Sequence, residues 1–107
     1  MTIAPFTGHA LVPTEHASRY LQQVCKHWQH NLQVEFTREN GTVIFPKDAR
    51  GAAHPGDAVV TFNVAATGLE VRIDATSQEQ LDGLKGAVVR HLDRFAFREG
   101  ELQYHWQ

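Results

Sequence analysis

The chain has 107 residues, 42% of them hydrophobic and 21% charged, and a formal net charge of −2 when its seven histidines are neutral. That length predicts one domain with its own core, and that charge argues against a phosphate-binding surface, which needs clustered Lys and Arg, so no nucleic acid is expected as a partner. No apolar run reaches the roughly 18 residues of a membrane span, no charged-then-apolar leader opens the chain, and a single cysteine, Cys25, rules out an intrachain disulfide framework. The expectation is a cytoplasmic protein with no membrane contact.

Met1–Thr7 carries no pattern and reads as a mobile arm ahead of the single domain 1–107. Gly8–Val12 is a short strand stopped by Pro13, which also biases Val12 to extended geometry. The stretch Thr14–His30 is the strongest helix signal. Ala17, Tyr20, Leu21, Val24 and Trp28 form one apolar stripe. Thr14 is placed to cap the first turn, and Glu15 suits the positive end of the dipole. At about 100° per residue, His16, Gln23, His27 and His30 share one flank of that stripe.

Leu32–Thr37 alternates with period two. Asn40-Gly41 follows it as a type I′ hairpin signal, because both central residues of that turn need positive φ. Thr42–Phe45 is the return strand, ended by Pro46. Lys47–Asp57, with two glycines and His54-Pro55, is a surface loop long enough to be functional. Ala58–Ala65 and Leu69–Ala75 form a second hairpin about Thr67-Gly68. Val60, Phe62, Val71 and Ile73 are on its inner face, and Glu70, Arg72 and Asp74 on the outer one.

Thr76 with Glu79 three residues on reads as a capping box. The helix it opens carries Leu81, Leu84, Val88, Leu92 and Phe95 at helical spacing and is expected to end near Arg98. Gly83 and Gly86 interrupt it and suggest close backbone approaches. Glu101–Gln107 is a tail in which Leu102, Tyr104 and Trp106 alternate, either a sixth strand or an aromatic flap. The order β-α-β-β-β-β-α predicts an α+β fold, a curved antiparallel sheet of about five strands with two helices on one face, in the layout of a TATA-binding-protein half-saddle.

Four constellations bear on function. His27 and His30, three residues apart on a helix, point the same way, and His91 on the partner helix could complete a divalent-metal site for Zn, Ni, Cu or Fe(II). The plainer reading is that these imidazoles bond to backbone and fill the helix–helix seam. Arg90, Arg94 and Arg98 recur at four-residue steps and could clasp a carboxylate or phosphate, or simply form a solvated face. Cys25 and His27 point apart on a helix, so no thiol nucleophile is assembled. A cavity between sheet and helices would be a ligand pocket lined by Trp28 and His91; otherwise these aromatics are core.

Arg19-Tyr20-Leu21, Cys25-Lys26-His27 with His30, Gly41 with Ile44-Phe45-Pro46, His91-Leu92 with Arg94-Phe95-Ala96 and Arg98-Glu99, and Trp106 occur in an order that resembles the small bacterial family called domain of unknown function 2218. The resemblance runs over nearly the whole chain. Asn31 stands where a basic residue is expected. The resemblance implies a free-standing cytoplasmic bacterial domain of no established activity, with some members associated with siderophore and iron uptake. The combined expectation is a non-enzymatic binding or accessory module with Trp28, His91, Arg94 and Arg98 as ligand-binding residues. Its alternative is a metal-dependent protein or enzyme built on His27, His30 and His91. A small molecule or a protein is the expected partner, with a homodimer as a third option.

Overall fold

The computed structural model describes residues 6–107, the side chain at position 50 excepted. Strand β1 (Phe6–Pro13) leads to helix α1 (Ala17–Trp28), then β2 (Gln33–Phe36), β3 (Asn40–Phe45), β4 (Ala58–Ala65), β5 (Gly68–Ala75) and helix α2 (Gln78–Phe95). The strands form one open sheet in the order β1-β5-β4-β3-β2, antiparallel throughout. The α+β class and the element order are those expected. Residues 1–5 of the proposed arm lie outside the described residues, whereas Phe6 and Thr7 pair with Ala75 and Asp74 in β1.

Register explains which side is greasy. Gly41, Phe62, Val71 and Ala10 lie opposite one another across four strands, as do Val43, Val60, Ile73 and Gly8, and all eight are buried beneath the helices. The next row, Thr42, Thr61, Arg72 and His9, points the other way. Arg72 and Asp74 pair across that outer face at 3.1 Å. Leu21 and Val24 of α1 and Val88 and Leu92 of α2 are fully covered by the inner face, each worth about 1.5–3 kcal/mol of burial.

Local chemistry shifts several boundaries. The β2–β3 turn is made by Thr37–Asn40, not by Asn40-Gly41. Thr37 N–H donates to the Asn40 carbonyl at 2.7 Å, and the Thr37 hydroxyl accepts from the Glu39 and Asn40 amides. Gly41 already belongs to β3 opposite Phe36. It is glycine because α1 lies on it: a Cβ there would stand 2.8 Å from Cys25 Sγ. Thr14 does not cap α1. Its hydroxyl accepts from the His16 amide and donates to Glu99, and the helix begins at Ala17. Ser77, not Thr76, caps α2 by accepting from the Gln80 amide at 3.0 Å. Thr76 is drawn away by Gln80, whose buried side-chain oxygen accepts from both its amide and its hydroxyl. α2 stops at Phe95, and a 3-10 turn, Phe97–Glu99, carries the chain to Gly100 at φ 79°. Gly83 marks no close approach, since nothing lies within 4 Å of its would-be Cβ.

The tail is a flap with one point of strand-like pairing. Gln107 and His9 exchange both backbone hydrogen bonds, at 3.0 and 2.8 Å, on the open edge of β1. Leu102 is buried, Tyr104 donates to Asp93 at 2.9 Å, and Lys85 lies over the Trp106 ring. Burial first, and then Asp93, push the Tyr104 phenol above its ordinary pKa.

Candidate functional site: a cleft between the helices

A cleft of about 740 Å³ opens between the end of α1, the face of α2 from Glu79 to His91, the end of β3 and the segment after it. Trp28 is the last residue of α1 and closes its apolar stripe. It is 6% exposed. Phe45 meets it edge-on at 5.1 Å between ring centres, Phe62 lies beneath at 6.2 Å, and His91 of α2 sits 4.8 Å away. His27, one residue before Trp28, brings its ring within 5.1 Å of His91.

The proton on His91 is fixed by its partner. Nδ1 lies 2.7 Å from the Ala87 carbonyl. A carbonyl only accepts, so Nδ1 carries the hydrogen, and the neutral ring leaves the lone pair of Nε2 open. The Trp28 indole is the converse case. No group among the described residues accepts its N–H. Because no buried side-chain nitrogen or oxygen there lacks a partner, that N–H reaches accessible space. His27 is held below the ordinary imidazole range, chiefly by partial loss of water and then by repulsion from His91, Arg94 and His30.

The loop expected at Lys47–Asp57 folds back as the outer wall. Lys47 N–H donates to Asp57 at 2.8 Å, and His54 N–H to the Lys47 carbonyl at 3.0 Å. Gln80 Nε2 donates to the Gly56 carbonyl at 3.0 Å, which ties the loop to α2. His54 is half-buried in this wall. The charged lining residues Asp48, Glu79 and Arg90 are exposed and stand at the mouth. The floor is therefore aromatic, without a carboxylate, lysine or arginine, and the rim carries two acids and one base.

Of the residues singled out from the sequence, Trp28, His91 and His27 come together here. His30 does not join them, because α1 ends at Trp28 and the three-residue helical offset from His27 is lost. Among the described residues, no three His, Cys, Asp or Glu side chains group as they would around a metal ion. The arginine ladder is divided by the end of α2. Arg90 lines the cleft, and Arg94 stands near His27 without lining it. Arg98 belongs to a smaller recess of about 260 Å³ with Arg19, Tyr20 and Phe97, its guanidinium 5.6 Å over the Phe97 ring. Beside that recess, Glu99 accepts from the hydroxyls of Tyr20 and Thr14, clasping the last turn to the start of α1. Burial and Glu99 push the Tyr20 phenol up to about 12. Cys25 is sealed under α1, and burial pushes its thiol up to about 11, the wrong direction for a nucleophile.

The sequence reading missed Phe45 as a wall of the site, and His54, Asp48 and Gln80 as its outer side. Phe45 ends a strand and reads as core. The loop residues carry no spacing signal, because a backbone carbonyl at Gly56 brings them in. The one available cue was a polar Gln80 on the apolar side of α2.

An open five-stranded antiparallel sheet with two helices on one face, and an aromatic and imidazole cleft between those helices, defines a small two-layered α+β domain. No helix among the described residues is long and apolar enough to cross a membrane. The chain belongs to the family described as uncharacterized proteins conserved in bacteria, domain of unknown function 2218, whose pattern matches residues 9–107. A Pseudomonas aeruginosa protein solved by NMR is similar in structure, with a TM-score of 0.71, 28% identity, and 95% of each chain covered. No protein of curated function matches the chain.

Proposed function

We propose that this protein is a non-enzymatic binding module of the bacterial cytoplasm, and that its ligand is a small molecule held in the cleft between α1 and α2. One observation carries the reading: about 740 Å³ of open space meets a buried tryptophan and three imidazoles. That volume lies within the roughly 300–1,000 Å³ typical of ligand sites with apolar walls and few polar groups. A catalytic role has less support, since the thiol is sealed and no hydroxyl or thiol bonds to an imidazole among the described residues.

The test is a ligand screen by two-dimensional NMR that includes metabolites and iron-chelating molecules. Shifts concentrated at Trp28, Phe45, Ala87 and His91 support the reading. Gly83→Leu fills the opening from a position where a side chain meets nothing, and it should abolish those shifts in a folded protein. A silent screen, or shifts that survive Gly83→Leu, would refute it. A metal-dependent reading rests on the 5.1 Å approach of His27 and His91, and it needs further donors from a bound ligand or water. Elemental analysis of the purified protein separates the two.

A further inference from the structure

The open hydrogen-bonding groups of the cleft have a definite pattern. Trp28 offers a donor, since its indole N–H meets no acceptor among the described residues although the residue is nine-tenths buried. His91 offers an acceptor, since Nδ1 is committed to the Ala87 carbonyl and Nε2 is left with a lone pair. The two rings are in contact, 4.8 Å apart between centres and tilted by 52°, so a single small ligand in the cleft is within reach of both. Around them the wall is apolar, formed by Phe45, Leu84 and Ala87. The charges lie at the mouth, where Asp48 and Glu79 outnumber Arg90. An anion would meet that rim unfavourably, and the floor holds no fixed cation to receive it.

We infer that the cleft recognises a planar, uncharged cyclic amide, with its carbonyl oxygen accepting from the Trp28 indole N–H and its ring N–H donating to Nε2 of His91. A lactam ring places one acceptor and one donor side by side on a flat edge, complementary to this pair, and its faces suit an aromatic slot. A donor and an acceptor that a bound ligand covers discriminate strongly, because a ligand lacking either partner leaves a protein group unpaired once water is displaced. This assignment rests on the cleft being a ligand site at all, and the experiment separates the two claims.

The probes are 2-quinolone and its N-methyl derivative, uracil and hypoxanthine as nucleobase lactams, and 2-naphthoate as an aromatic anion, each titrated into the full chain by NMR and calorimetry. 2-Quinolone should bind in the cleft, and N-methylation, which removes the donor, should weaken it about tenfold or more. Trp28→Phe and His91→Phe each keep an aromatic ring. His91→Phe should weaken 2-quinolone about fivefold and leave the N-methyl compound unchanged, whereas Trp28→Phe should weaken both about fivefold, since both keep the carbonyl. Tighter binding of uracil or hypoxanthine would support the same pattern and point to a nucleobase source. Equal binding of the N-methyl compound, or tighter binding of 2-naphthoate, would overturn the cyclic-amide assignment and leave the cleft reading standing. No cleft binding by any probe, together with a silent screen, would overturn both. If Trp28→Phe fails to fold, the His91→Phe and N-methyl arms decide the matter.

Discussion

Replacing Gly41 by alanine tests a close helix–sheet contact. Gly41 lies on β3 beneath α1. A Cβ added there would stand 2.8 Å from Cys25 Sγ, 3.2 Å from Phe36 Cβ and 3.6 Å from Leu21 Cδ2. Cys25 and Leu21 are fully buried, so neither has room to retreat. Overpacking of this kind costs about 1–3 kcal/mol, and the lower backbone entropy of alanine returns about 0.5–1 kcal/mol. The expected net loss is about 1–2 kcal/mol, read as a lower urea midpoint at unchanged m-value, or as a Tm drop of about 4–8 °C per kcal/mol. Cys25→Ala alone removes a buried sulfur and should cost about 1 kcal/mol. In the double variant the new methyl occupies the vacated space, so its loss should fall short of the sum of the single losses by about 1 kcal/mol, the signature of direct contact. Additive losses, or a Gly41→Ala protein within about 0.5 kcal/mol of the parent, would show that α1 does not rest on this strand as described.

Gly83→Ala should stabilise the protein by about 0.5–1 kcal/mol, because the position is helical and opens on empty space; destabilisation in urea would contradict that geometry. Gln80→Ala should cost about 1–3 kcal/mol by leaving the Thr76 amide without its partner and the Gly56 carbonyl with the Thr76 hydroxyl as its remaining donor. Amide exchange should then quicken around Gly56 and stay slow in α1. His27 contributes to the pH dependence of stability. Its pKa in the folded protein lies below that of the unfolded chain, so the unfolded chain takes up the proton first. The contribution of the neutral imidazole is complete above about pH 6.5 and is lost as pH falls through that value toward the folded pKa. His27→Gln should therefore flatten the fall in Tm on acidification, and an unchanged slope would remove His27 from the account.

Much of the architecture was legible because burial on one side of a sheet imposes a strict pattern. Alternation in β4 and β5, and the stripe from Ala17 to Trp28, follow from faces that must meet the core, and sequence alone displays such faces. What failed was the chemistry of ends. Asn40-Gly41 has the composition of a tight turn, yet Gly41 answers to a helix packed 2.8 Å away, and Thr37 makes the turn instead. Thr76 and Ser77 are both good caps. The choice between them fell to a buried Gln80 that binds Thr76. Trp28 and His91 were legible as candidates because each sits on or beside an apolar stripe. Phe45 and the loop were not, since a hydrogen bond from Gln80 to Gly56 brings that wall into place.

By itself, the order of polar and apolar residues determined that two helices cover one face of an antiparallel sheet, because a period of two or of nearly four is a property of the chain. Whether His27, His30 and His91 share a space was a different question. It turned on α1 ending at Trp28, which leaves His30 outside the cleft and sets His27 and Trp28 against His91. Side chains more than sixty positions apart meet only once both helices are docked, and the angle of docking is set by packing, which no local pattern encodes.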